Sequence, residues 1–429
     1  MVAGAAFADP EADFNLAEVS GNAAVTWGVD LDEGTTGFKN STDATVKLNL
    51  VNSGTKSTEG EGIWAELGVK YDGSLQVKSN TDPVFDGGVA SIDAAKLHFY
   101  NFYVGIKSGD TLVGYLELPN AVQSAWNALG NVQDTTSKTQ GIVLGYGDNG
   151  NMSFELDFRS LPAGSDYYTN DYGLAAEFKL LDSNEFLPGL FVTLGGDFQF
   201  NEKALGAAAS AGYKLSLGDV YYVKPVVGWT MGIPSLDDAS VNDMALAAGL
   251  VFAWGDEADA NVGVPYLDVD NANKVIPGIG IDFYMPLADG ASITLIPSFY
   301  TGDIVENLTA GAVAQIEVND DPKIAVAGGL KYAIAATDSV TVTPYAGARW
   351  ANKGVAAGGK DVWTNANTDN GNRSDLVDVG DGLLNIKGGF DIAGLINNTT
   401  FSVWYQSRNL LNDDGAELGT INVQCKISF

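Results

Sequence analysis

The segment GTINVQCKISF, Gly419 to Phe429, alternates apolar and polar side chains without a break and stops on an aromatic. Ile421, Val423, Cys425, Ile427 and Phe429 share one face, and Thr420, Asn422, Gln424, Lys426 and Ser428 share the other. A side-chain period of two is that of a β-strand, so this segment has one oily side and one wet side. Its length is about that of a tilted strand crossing a bilayer.

The same unit recurs along most of the chain. Ala23 to Leu31, Ala44 to Leu50 and Ile63 to Tyr71 alternate in this way, and Asp72-Gly73 reads as a tight turn because both residues tolerate positive φ. Phe102, Val104 and Ile106 follow after a change of parity at Tyr100-Asn101 that predicts a bulge or bend. From Pro119 to Lys138 the alternation lapses, as in a short helix or a loop folded into a lumen. Ile142 to Tyr146 and Met152 to Phe158 flank Asp148-Asn149-Gly150, a hairpin signal. Further units run from Tyr172 to the terminal strand, with a weaker one at Val262, Val264 and Tyr266. The pattern predicts about 20 strands of roughly 10 residues each, with short turns on one rim and long loops on the other. Two consecutive short turns, near Asp320 and Asp338, break that rule.

Hydrophobic residues make up 45% of the chain. Its most apolar window, Met244 to Trp254, falls short of the roughly 18 residues that a membrane-spanning helix needs. A membrane crossing is therefore made by strands. Trp27, Trp229, Trp254 and Trp350 fall on apolar faces at or near strand ends, where an aromatic girdle would meet lipid headgroups. The opposite faces carry Lys47, Glu66, Lys70, Glu155, Asp157, Arg159, Glu177, Lys179, Lys331, Arg349 and Lys387, candidates for the lining of a water-filled pore. A soluble sandwich would put the same apolar faces in its core, but it must then explain many strands of near-equal, bilayer-spanning length. The pattern favours an all-β fold, a large antiparallel transmembrane β-barrel. Ile421, Val423, Ile427 and Phe429 are expected to contact lipid while the last strand closes the sheet against the first.

Lys and Arg number 23 against 54 Asp and Glu, a formal charge of −31. That balance excludes nucleic acid as a partner, because phosphate binding needs a basic surface. The segment before Asp9 resembles the tail of a secretory leader, with Ala6 and Ala8 in an A-x-A arrangement, so residues 1–8 are read as a leader and 9–429 as one barrel. Cys425, the single cysteine, forms no disulfide within the chain. His98 is the only histidine, and it falls on a polar face without a catalytic partner in the pattern. No G-x-S-x-G elbow or phosphate loop is present. Asp256, Glu257, Asp259, Asp268 and Asp270 could meet Ca²⁺, but Ala272 and Asn273 depart from the EF-hand template. A solvated acidic loop is the better reading. No cofactor, metal or enzymatic activity is expected.

The runs VTWGVDL (Val25 to Leu31), TTGFKNST (Thr35 to Thr42), GEGIWAEL (Gly60 to Leu67) and AKLHFYNFYVGI (Ala95 to Ile106) resemble the N-terminal region of the treponemal major outer sheath proteins and their Tpr relatives. The resemblance covers about a quarter of the chain. It implies a spirochaete outer-membrane, pore-forming, trimeric protein with a part in adhesion to host matrix proteins. It also implies an alternative division, with 9–135 as a periplasmic domain and 136–429 as the barrel. The strands before Pro119 alternate as the later ones do, which favours one continuous barrel.

The expected function is an outer-membrane porin passing small hydrophilic solutes and ions, with membrane lipid around it. The alternative is an adhesin whose surface loops bind host proteins. Excess acid lies in connections, at Asp237, Asp238, Asp243, Asp361, Asp369, Asp375, Asp378, Asp381, Asp413, Asp414 and Glu417, which predicts a weak cation preference.

Overall fold

The computed structural model describes residues 17–53, 63–76, 84–107, 141–148, 151–160, 172–201, 203–233, 235–238, 243–255, 264–266, 276–287, 292–302, 304–320, 322–352, 356–357, 360–361, 382–411 and 415–429. They form a closed ring of 20 antiparallel strands. In chain order these are β1 (Ala17–Asp30), β2 (Thr35–Ser53), β3 (Ile63–Gln76), β4 (Val84–Phe99) and β5 (Phe102–Lys107). Next come β6 (Gly141–Asp148), β7 (Met152–Ser160), β8 (Tyr172–Leu180), β9 (Leu190–Gln199) and β10 (Ala204–Tyr213, resumed at Leu215–Ser216). The third quarter holds β11 (Tyr222–Ile233), β12 (Asp243–Ala253), β13 (Gly278–Pro286), β14 (Ile293–Tyr300) and β15 (Leu308–Val318). The ring ends with β16 (Lys323–Tyr332, resumed at Ile334–Ala335), β17 (Thr341–Ala351), β18 (Leu383–Ala393), β19 (Thr399–Gln406) and β20 (Thr420–Ser428).

Each strand pairs with its neighbours in sequence, and the ring closes where β20 pairs with β1 from Asp30↔Thr420 to Asn22↔Ser428. Closure removes the sheet edge, the condition for placing a sheet in hydrocarbon. The strands before residue 108 belong to this same sheet. A two-residue pair, Ala356–Ala357 with Lys360–Asp361, stands apart from it.

The large apolar side chains point outward. Val25, Leu97, Phe102, Ile142, Phe158, Leu174, Val227, Leu250, Ile281, Phe299, Leu330, Phe390 and Ile421 are all exposed. An exposed apolar surface that girdles the ring is the inverse of a soluble core, and it matches a lipid solvent. Ile421, Val423, Ile427 and Phe429 lie on this outer face.

Four local expectations need correction. The parity change at Tyr100-Asn101 is a two-residue hairpin turn between β4 and β5, made possible by the positive φ of 54° at Tyr100. Asp72-Gly73 does not turn the chain but lies within β3, where an irregularity between Asp72 and Ser74 shifts the register. Strand length is less uniform than the alternation implied: β2 has 19 residues and β4 has 16, against 6 in β5. The weak unit at Val264 and Tyr266 is a turn, not a strand. The run from Pro119 to Lys138 lies outside the described residues.

One rim carries the start of β1 and the end of β20. The opposite rim carries the two longest connections, 108–140 and 352–382. The two consecutive short turns are both real, since 319–322 and 336–340 flank the paired strand β16. Within the connection between β12 and β13, which leaves from the rim of the chain ends, Val264–Tyr266 lie against the inner wall.

Candidate functional site

Since the apolar faces look out, the alternate residues of each strand look in, and the inner wall is where the chemistry lies. On β2 to β4, Lys47 Nζ stands 3.4 Å from Glu66 Oε2, and His98 Nε2 stands 4.0 Å from the same oxygen. The His98 ring stacks on Trp64 with centroids 3.8 Å apart and planes within 3°. Tyr103 on β5 continues this aromatic row 5.4 Å from His98, with Lys96 Nζ 4.8 Å above its ring. The Tyr103 hydroxyl donates to Glu155 on β7. Glu177 and Lys179 on β8 form an ion pair at 3.3 Å, and Asp157 is buried beside them. Lys70 falls on the inner face of β3 by its register, while the Arg159 side chain lies outside the described residues.

Across the ring, Lys331 on β16, Arg349 on β17 and Lys387 on β18 take the inner positions. Arg349 is buried, donates through Nε to Asn385, and holds its guanidinium 5.2 Å from the ring centroid of Tyr266. The sector from β2 to β8 thus carries charges of both signs, and the sector from β16 to β18 carries Lys331, Arg349 and Lys387. The pattern located most of these residues, but it missed Trp64, Lys96 and Tyr103. Their strand parity, shared with Glu66 and His98, is the signal that finds them.

Between those sectors the inner wall is largely apolar. From β11 to β16 the inward positions include Val226, Ala245, Ala247, Val251, Ala253, Ile296, Val313, Ala325 and Ala327, all buried. Small apolar side chains that face a lumen and yet are buried must be covered from inside. Val264 (0% exposed) and Ile276 (1%) are two residues that supply this cover, the latter packed with Tyr222, Val251 and Ala253.

A carboxylate is buried in this sector. Asp282, 0% exposed, lies between Gly249 and Ile296, and neither of its carboxylate oxygens has a hydrogen-bond partner among the described residues. A buried polar group without a partner costs about 1–3 kcal/mol. Asp282→Val, which removes the group and suits a strand, is expected to stabilise the barrel by about 1 kcal/mol. Urea midpoints in detergent would measure this, and a lowered midpoint would count against it.

On the outer face, Trp27 and Trp350 stand near the rim opposite the chain ends, 37% and 39% exposed. Trp254 marks the other rim, where its Nε1 donates to the Thr301 carbonyl at 2.9 Å. Trp229 sits further inside its strand, paired between Ala209 and Leu246.

No family model matches the chain. The major surface protein MspTL of Treponema lecithinolyticum is 26% identical, over 94% of this chain and 91% of that protein. The major outer membrane protein MspA of Treponema maltophilum is also 26% identical, over 100% of this chain and 98% of its own length. The chain is similar to the treponemal major surface proteins. The likeness spans the whole length and not only the N-terminal motifs. The protein is an outer-membrane protein, in keeping with its closed sheet and apolar girdle. Among solved structures, OpdQ of Pseudomonas aeruginosa matches at 10% identity and a TM-score of 0.43, covering 96% of this chain and 98% of that one. OccAB2 of Acinetobacter baumannii matches at 8% and 0.42, with the same coverage. A ring of 20 strands exceeds the 16–18 that already leave an aqueous channel.

Proposed function

We propose that this protein is a general diffusion porin, a water-filled channel for small hydrophilic solutes with a weak preference for cations. The observation that carries the proposal is a closed 20-strand ring with charged side chains of both signs on its inner face. Lys47, Glu66, Lys70, Glu155, Asp157, Arg159, Glu177, Lys179, Lys331, Arg349 and Lys387 line the path, and no group in it is asked to do chemistry. Residues 9–429 act as one barrel, with Trp27, Trp254 and Trp350 at the headgroup levels, and the assembly is a homotrimer.

The cation preference comes from the connections. Most of their carboxylates lie outside the described residues; Asp237, which is described, is engaged by Lys203 at 2.7 Å. Acid around a wide mouth raises the local cation concentration. The Debye length falls from about 10 Å at 0.1 M salt to about 3 Å at 1 M, so the preference fades as salt rises. Single-channel recordings with reversal potentials across a KCl gradient test both parts. Discrete conductance steps with salt-dependent cation selectivity are expected. Absence of conductance overturns the porin reading, and anion selectivity overturns the role of the rim charge.

Adhesion is the second reading, favoured by the length of connections 108–140 and 352–382 on one rim. It is compatible with a channel, because binding at the loops leaves the lumen free.

A further inference from the structure

Three inward-facing glycines stand side by side on neighbouring strands. Gly311 on β15 pairs with Gly329 on β16, which pairs with Gly347 on β17. The wall therefore carries a strip without side chains across three strands. A glycine in the middle of a strand weakens it and commonly marks close approach of another backbone. Here that backbone is Val264–Pro265. A Cβ at Gly329 would lie 2.8 Å from both Pro265 O and Val264 Cγ1, and one at Gly347 would lie 2.8 Å from Pro265 Cβ. Each distance is below van der Waals contact, so the seat accepts glycine alone while Val264 and Pro265 are in it.

Among its described residues, the connection from β12 to β13 is held at three places. At its neck, Trp254 N donates to Pro277 O at 3.0 Å. Close to its return, Ile276 packs on Tyr222, Val251 and Ala253. At Val264–Tyr266 it touches the glycine strip, and Tyr266, with a positive φ of 62°, turns its ring under the Arg349 guanidinium. Arg349 is two residues from the β17 end at the rim opposite the neck. The contact is therefore deep in the lumen.

We infer that Val264–Tyr266, seated on Gly329 and Gly347 and fastened by Arg349, form the constriction that sets the size limit for hydrophilic solutes. This rests on the porin reading. It assigns Gly329 and Gly347 a specificity role that their composition alone would hide.

The test uses the full-length protein in planar bilayers and sugar-swelling liposomes. Gly329→Val/Gly347→Val adds bulk to the wall. If nothing sat there, the pore would narrow and conductance would fall. If the segment is seated there, it is displaced, and conductance rises by roughly a factor of two with a larger excluded sugar, because ion flow scales with free cross-section. Val264→Gly/Pro265→Gly/Tyr266→Gly leaves the wall intact and is expected to change conductance in the same direction. A fall or no change in both variants, in a wild type that conducts, overturns the inference.

Seating is also read without conduction. In a Cys425→Ser background, Pro265→Cys/Gly347→Cys is expected to form a disulfide under mild oxidation, since the two Cβ positions are close enough to bridge after a small shift. A silent wild type that still cross-links removes the porin reading and leaves the seat. No cross-link in the folded protein removes the seat itself.

Discussion

A chain lacking residues 420–429 is expected to fail to assemble in the outer membrane and to show no heat-modifiable band. In the intact protein β20 lies between β19 and β1, with Ser402↔Gln424 on one side and Thr26↔Gln424 on the other. The seam continues past the strand end, where Phe429 N donates to Gly21 O at 3.0 Å and Gly21 N donates to Phe429 O at 2.8 Å. Removing the strand exposes the facing edges of β1 and β19 together. In water such edges would be hydrated, but in hydrocarbon each unpaired N–H or C=O costs several kcal/mol. A few such groups exceed the 5–15 kcal/mol that typically hold a folded protein together. Normal insertion and a normal heat-modifiable shift of the truncated chain would mean that β20 does not close the ring. Phe429→Ala is the milder change, because the Gly21 pairing is made by backbone atoms and survives the loss of the ring.

How far this fold could be read from the sequence depends on what a period of two reports. It reports faces, so the outer girdle from Trp27 to Ile427 and most charged inner positions follow from parity alone. It does not report where a strand stops. Asp72-Gly73 has turn chemistry, yet β3 continues through it because β2 and β4 supply partners on both sides. Tyr100-Asn101 has none of the usual glycine, yet Tyr100 takes a positive φ and turns the chain. Nor does periodicity report what a loop touches. Val264 and Tyr266 alternate with their neighbours as in a strand, and only their contact with Gly329, Gly347 and Arg349 shows a lumenal turn. The apolar inner wall at Ala245, Ala247 and Val251 follows from the same cause, since a covered sector has no need of charge.

The ring closure has a second component that no alternation could indicate. Arg408→Ala is expected to lower the unfolding free energy by about 2 kcal/mol, a loss larger than that of a surface pair because this cluster is only partly open to water. Arg408 lies just beyond β19. Its Nη1 donates to Asp32 Oδ2 at 2.6 Å, and its Nη2 to Asp30 Oδ2. Asp32 in turn accepts from Leu418 N at 2.6 Å and Gly419 N at 2.9 Å, at the entry to β20. One guanidinium thus ties the first hairpin to the approach of the last strand, across the seam. The link runs inward as well, since Asn385 donates to the Arg408 carbonyl and accepts from Arg349. Burial opposes the charge on Arg408, but the Asp30 hydrogen bond and the two carboxylates outweigh it and push the pKa up. Truncation leaves both carboxylates facing each other without their cation, which is why the cost exceeds that of one lost hydrogen bond. Arg408→Lys keeps the charge but cannot reach both carboxylates as a fork, so it is expected to recover about half the loss. Urea titrations in detergent measure the difference, with far-UV circular dichroism confirming the β-structure. Equal midpoints for wild type and Arg408→Ala would show that the backbone ladder alone holds the seam, and a full recovery by Arg408→Lys would show that charge, not the forked geometry, is what the closure uses.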